Sequence, residues 1–228
     1  MDFLATADFW IGLAKIIWIN IILSGDNAVV IALAARTLPP HQQRTAVFWG
    51  SGAAVVLRVV LTVVAAKLLE LPWLQIVGGA LLLWIGVQLL SEDDEGEEGE
   101  ARHHSSLMAA IRTILIADLI MSLDNVIAVA AAAQGSLVLL ILGLAISIPL
   151  VIFGATLMVR LMERFPIIVV AGAALIGWVA GETIVSDKVF ADPLAAIPWL
   201  HYAGAIAGAA LVVLVGKMLQ SRGREQSA

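Results

Sequence analysis

Two short polar runs stand inside long apolar stretches of this chain, and they are near copies of one another. Asn20, Ser24, Asp26 and Asn27 recur, at an offset of 98, as Asp118, Ser122, Asp124 and Asn125. A carboxylate inserted at the centre of an apolar membrane segment costs about 2.5–3.5 kcal/mol or more. Three of them, Asp26, Asp118 and Asp124, in two matched places therefore mark a functional site. The oxygens on offer are carboxylate, amide and hydroxyl, with neither sulfur nor imidazole among them. Such a set suits a hard dication, Mg2+, Ca2+ or Mn2+, and suits copper and other soft ions poorly. Arg58 lies in mid-segment and is read as a gating group or counter-ion. Three carboxylates and one guanidinium leave two negative charges, which one dication neutralises. A buried carboxylate can instead carry a proton, which would couple the metal to proton exchange.

The spacing of these residues constrains the helices that carry them. In a continuous helix Asn20, Ser24 and Asn27 share a face, as do Asp118, Ser122 and Asn125, being spaced i, i+4, i+7. Asp26 and Asp124 would point elsewhere, since six residues is roughly 240° of rotation at about 100° per residue. A break at Ser24-Gly25 would bring Asp26 back towards the others, because glycine permits unwinding and Asp or Asn begins a resumed helix well. The second copy has Leu123 where the first has Gly25, so a break there is left open.

The rest of the chain supplies the membrane segments. Hydrophobic residues make up 61% of 228, against ~45–50% in soluble domains, and mean hydropathy is +0.99. The class is an all-α, polytopic membrane protein. Seven apolar segments, at about 9–35, 46–66, 72–90, 107–133, 136–159, 166–185 and 199–220, each approach the ~20 residues that cross a bilayer. Their connections carry breakers such as Pro39-Pro40, Pro72, Pro166 and Asp192-Pro193. Trp10, Trp49, Trp73 and Trp199 fall near segment ends, where they suit the headgroup level. Asp2 and Asp8 replace the basic start of a signal peptide, so the first segment is read as retained. With no cysteine, disulfides and thiolate ligands are excluded.

The repeat reaches beyond the polar runs. Residues 72–88 align without gaps on 166–182, matching Trp84 to Trp178 and Gln88 to Glu182. Three segments are thus written twice, and an odd number makes the second copy run inverted through the membrane, as in transporters whose site lies at the midplane. The expected organisation is a first three-helix repeat over 1–90, an acidic cytoplasmic linker over 91–106, a second repeat over 107–187, and a seventh helix with a basic tail over 188–228. Gly204 and Gly208 suit the seventh helix to close packing, as do Gly78-Gly79 and the Gly177/Gly181 pair. Seven of the eighteen acids fall between Glu92 and Glu100, so the net charge of -5 is local and nothing suits nucleic acid. Counting Lys and Arg in alternate connections gives nine against three for an outside amino terminus and a cytoplasmic carboxyl terminus.

Two Ser-x-Asp-Asn motifs, Ser24 to Asn27 and Ser122 to Asn125, in two three-helix halves resemble the TerC family of integral membrane proteins, within the wider LysE group. The likeness spans about residues 9–220. It implies manganese efflux across the cell membrane and, in some members, supply of metal to exported proteins, so that secreted metalloproteins or further copies of the chain are expected partners. No prosthetic group is expected. By position the family's intramembrane acids map onto Asp26, Asp118 and Asp124, while Asn20 stands where a symmetric site would need a fourth acid.

Blander roles stand beside each residue. Asp118 or its fellow acids could serve as buried ion pairs with Arg58, and Asn20, Asn27, Asn125, Ser24 and Ser122 as interhelical hydrogen bonds worth roughly 0.6–2 kcal/mol. Glu182 is assigned to an interface or pathway, Lys15 to snorkelling, His201 and Tyr202 to the headgroup belt, and His103 and His104 to the linker. Two other functions fit the acids: an intramembrane aspartyl protease, and a scaffold that holds metal without moving it.

Overall fold

A computed structural model describes residues 7–23, 25–68, 71–91, 100–133, 136–190, 197 and 199–226, and all regular elements among them are helices. In chain order these are α1 (Ala7–Leu23), α2 (Gly25–Ala35), α3 (Pro40–Leu68), α4 (Leu74–Ser91), α5 (Glu100–Ala133), α6 (Leu137–Arg164), α7 (Ile167–Val185) and α8 (Leu200–Gln226), with a single 3-10 turn at Lys188–Phe190. Five of them are long and apolar enough to cross a membrane. Two bent pairs raise the number to seven when each is counted as one span.

Both bends fall in the polar runs. α1 and α2 meet at 49° around residue 24, where glycine had predicted a break. α5 bends by 66° between Leu107–Leu123 and Asn125–Ala133, although no glycine is present there. An Asp-Asn pair stands at both bends, and these residue types favour a helix start.

Start and stop chemistry explains most other ends. Pro40 opens α3, where a missing N–H costs nothing. Ser136 caps α6, its Oγ accepting from Leu139 N at 3.3 Å. Pro166 ends α6 and starts α7 after a two-residue turn. α5 starts at Glu100 and not at 107, so the acidic linker expected over 91–106 is helical from Glu100 onward, because nothing between Glu100 and Leu107 breaks a helix already propagating. Residues 92–99 lie outside the described residues.

Two apolar clusters dominate the packing, with smaller groups around Leu61 and Leu90 beside them. The larger joins α2 through α7 around Ile31, Leu33, Val47, Leu82, Ile114 and Ile176. α2 is the most enclosed element: all of its residues from Ala28 to Ala35 are buried except half-buried Val29. The smaller cluster gathers Phe9, Leu13 and Ile16 of α1 with Val129 of α5 and Leu140 and Leu144 of α6. α3 packs on α5, α6 on α1 and α2, and α4 on α7, while α8 lies against α7 and α4. Large apolar side chains such as Trp18, Trp49, Phe153 and Leu214 point outward, each more than half exposed, as lipid-facing side chains do.

The glycines expected to pack closely do so, and against each other. A Cβ on Gly177 would lie 2.5 Å from the Gly208 carbonyl oxygen, and one on Gly181 would collide with Gly204. Four glycines thus form a seam where the α7 and α8 backbones touch. Gly78 and Gly79 bring α4 against Ile120 of α5 and Ala180 of α7.

A second tie was not legible beforehand. Asp187, just past α7 and 1% exposed, accepts from Trp73 N (3.1 Å), Gln75 N (3.1 Å), Ile76 N (3.4 Å) and Val189 N (3.0 Å). It caps α4 from the opposite half and holds Trp73 at φ 70, a left-handed conformation that costs a non-glycine residue roughly 1–2 kcal/mol. Burial works to raise the Asp187 pKa, but the four backbone donors outweigh it and hold the carboxyl below its ordinary 3.8. The cap is therefore fully present above about pH 4 and is lost as pH falls through the depressed folded value. Asp187→Ala should cost about 1–2 kcal/mol near neutral pH. In acid titrations of unfolding in detergent, the gap between wild type and variant should close below pH 4. A gap of constant size would show that the carboxylate charge contributes nothing.

Candidate metal centre

The α3 face that carries Arg58 repeats at i, i+4 and i+7, so Ser51, Val55 and Arg58 look the same way. They look towards α1, α2 and α5. There the Arg58 guanidinium, 4% exposed, donates from Nη1 to Asn20 Oδ1 (2.7 Å), from Nη2 to Asp118 Oδ1 (2.7 Å) and from Nε to Ser122 Oγ (3.0 Å). Ser122 Oγ in turn donates to Asp118 Oδ2 at 3.2 Å. One planar fork therefore joins the first polar run to the second, a geometry that guanidinium suits and ammonium does not. A buried charge pair of this kind is sustained by the additional hydrogen bonds to Asn20 and Ser122.

The two asparagines that close the runs meet at one carbonyl. Asn27 Nδ2 and Asn125 Nδ2 both donate to Leu23 O, the last residue of α1, each at a long 3.4 Å. The bend exposes that carbonyl by removing its ordinary helical partner. Asp26, in the first turn of α2, accepts from Asn27 N at 2.9 Å and lies within electrostatic range of both Arg58 and Asp118. A helix N-terminus interacts favourably with an acid in its first turn, which offsets part of the cost of placing one here.

Between these groups lies a cavity with about 10 Å3 open to the centre of a water-sized guest, lined by Asn20, Asn27, Ser51, Arg58 and Asp118. Ile31, Ala54, Val55 and Val151 close it with hydrocarbon. Asn27 Oδ1 and Ser51 Oγ are buried and have no hydrogen-bond partner among the described residues.

Of the residues predicted for the site, Asn20, Asn27, Asp118 and Arg58 share this cavity, and Ser122 supports it from behind. Asp26 adjoins Asn27, and Asn125 is tied to Asn27 through the shared Leu23 carbonyl, but neither lines the cavity. Ser24 and the Asp124 side chain lie outside the described residues, although Asp124 stands at the bend of α5. Among the described residues no three carboxylate or imidazole groups gather as a metal cluster. Asp118, expected as a ligand with ion pairing to Arg58 as its blander role, makes that pair: one oxygen accepts from Arg58 and the other from Ser122. A carboxylate still has about four lone-pair sites, so two remain. Glu182 pairs with His201 of α8 at 3.5 Å, away from the cavity. Sequence reasoning missed Ser51, which its place seven residues before Arg58 could have revealed.

Comparison with known proteins places this geometry in a family context. The profile of the integral membrane protein TerC family matches residues 5–224. The uncharacterized membrane protein YjbE of Bacillus subtilis is 46% identical over 181 residues, covering 79% of this chain and 82% of YjbE. YceF of the same organism is 25% identical, over 75% of this chain and 69% of its own length. The UPF0053 inner membrane protein YoaE of Escherichia coli is 26% identical over 75% of this chain and 36% of its own, so it is much the longer protein. No solved structure matches the chain.

Proposed function

Because the chain belongs to the TerC family of integral membrane proteins, we propose that it carries a divalent cation across the cell membrane through the cavity between its two polar runs. The carrying observation is that one guanidinium binds Asn20 from the first run and Asp118 and Ser122 from the second. Two inverted three-helix halves, giving seven spans, fit the helix pairings, and the Lys and Arg count favours an outside amino terminus in this reading. α3 meets α5 as α6 meets α1 and α2, and α4 meets α7, a pattern unchanged when the halves are exchanged. With Asp118 neutralised by Arg58, Asp26 and Asp124 retain the two charges that balance one dication. Mn2+ is the proposed ion and efflux the proposed direction, on the family resemblance; oxygen chemistry alone admits Ca2+ and Mg2+ equally.

Proteoliposomes loaded with an Mn2+-quenched dye provide the test. The wild-type chain should carry a saturable Mn2+ flux, and Asp26→Asn and Asp124→Asn should each reduce it roughly tenfold or more, the scale of losing a charged contact. Full flux in both variants would remove these acids from the path. Saturable Mn2+ binding without flux would favour a metal-holding scaffold.

A further inference from the structure

Hydroxyls on the buried helices of this protein are partnered, most of them to a carbonyl one turn back and Ser122 to the Asp118 side chain, and Ser51 breaks that habit. Ser147 donates to Gly143 O, Thr156 to Ile152 O, Thr183 to Val179 O and Thr62 to Arg58 O, each bonding back by one turn at 2.7–2.8 Å. That local bond is what an otherwise unpartnered hydroxyl in an apolar segment takes. Ser51 is 1% exposed, yet its Oγ has no such bond to Val47 and no other partner among the described residues. It lines the cavity, opposite Asn27 Oδ1, which is equally buried and equally unpaired. Leaving two such atoms unsatisfied costs about 1–3 kcal/mol each, so a guest that satisfies both is favoured by that amount.

We propose that Ser51 Oγ and Asn27 Oδ1 are oxygen donors to the transported dication, completed by the two free lone-pair sites of Asp118, so that Ser51 on α3 helps to set which ion is accepted. The inference rests on the transport reading above and adds to it a ligand from outside the repeated motifs. The cavity admits one water-sized body, which suits a dication stripped of most of its hydration and excludes a hydrated one. A hydroxyl is a hard donor, and a thiol at the same place would be a soft one. Arg58 is held on Asn20, Asp118 and Ser122 of α1 and α5.

The chain contains no cysteine, so Ser51→Cys introduces the only thiol. In the purified full-length protein, Cd2+ should give a saturable thiolate-to-metal charge-transfer band with Ser51→Cys, and adding Asn27→Ala to that variant should weaken Cd2+ binding by removing a second donor to the same ion. Gly52→Cys, one residue along with nothing within 4 Å of its Cβ position, should give no saturable band. In proteoliposomes Ser51→Ala should raise the Mn2+ KM about tenfold with little change in maximal rate, the effect of one lost polar contact, and Ser51→Cys should become inhibitable by Cd2+. A missing band, Cd2+ binding that Asn27→Ala leaves untouched, or an unchanged KM in Ser51→Ala overturns the assignment, even if the last variant is less stable, as it would be if the cavity holds only structural water. Should Ser51→Cys not fold, the KM of Ser51→Ala decides. If the wild type shows no Mn2+ flux but the Ser51→Cys band and its dependence on Asn27 are present, the transport reading fails while the ion site stands.

Discussion

Replacing Arg58 with leucine is expected to destabilise the protein by about 3–5 kcal/mol, the usual result of removing one partner from a buried ion pair. The Asp118 carboxylate, now facing Asn20 and Ser122 alone, would have to take up a proton or draw in water. The decisive comparison is the double replacement. Arg58→Leu with Asp118→Leu removes both charges, and apolar substitutes for a buried pair are often neutral or better. The double variant should therefore recover most of the stability lost by the single one while remaining inactive in Mn2+ flux. Unfolding in detergent, followed by tryptophan fluorescence, checks the first half of this expectation and the liposome assay the second. If the double variant were as unstable as the single one, Arg58 would be anchoring more of the fold than its bonds to Asn20, Asp118 and Ser122. If it transported normally, the guanidinium cluster would have no part in ion passage.

The other large effect is expected at the glycine seam. Gly208→Leu sets a four-carbon side chain where the Gly177 backbone already lies, and backbone cannot turn aside as a side chain can. Ordinary overpacking costs about 1–3 kcal/mol, and here the loss should exceed that range because α8 has to leave α7 along its length. Engineered cysteine pairs placed across α7 and α8 would stop cross-linking in this variant, and its unfolding midpoint would drop. Gly52→Ala serves as the reference, since nothing lies within 4 Å of its Cβ position and the change should be neutral or stabilise by roughly 0.5–1 kcal/mol. Equal effects at Gly208 and Gly52 would mean that the seam is not a close contact in the membrane.

The polar runs were legible because polar side chains are rare and costly in apolar segments, so their repetition stood out at once. Gly25 announced the first bend for a related reason, as a residue that weakens a helix from within. The α5 bend carried no such sign: Leu123 is an ordinary helix former, and the Asp-Asn pair there reads equally well as a ligand. Nor could composition say which of three acids Arg58 would choose. That choice depends on α3 meeting α5 at the level of residue 118, a packing fact with no local code. Asp187 was hidden for the same reason, since its four partners lie in a distant turn and in its own. Ser51 is the middle case. Its spacing from Arg58 was visible, but a serine in a helix ordinarily bonds to its own backbone, and only the coordinates show that this one does not.

The seam between α7 and α8 and the Asp187 cap on α4 together imply an uneven distribution of stiffness. On one flank α7 and α8 are fastened backbone to backbone and α4 is tied to the end of α7 by a carboxylate clamp. On the other, α1 with α2 and α5 are each interrupted and are held there by side-chain bonds. On the proposed transport reading, a swing that opens the path to alternate sides of the bilayer would turn about those interruptions, with the fastened flank as its stator.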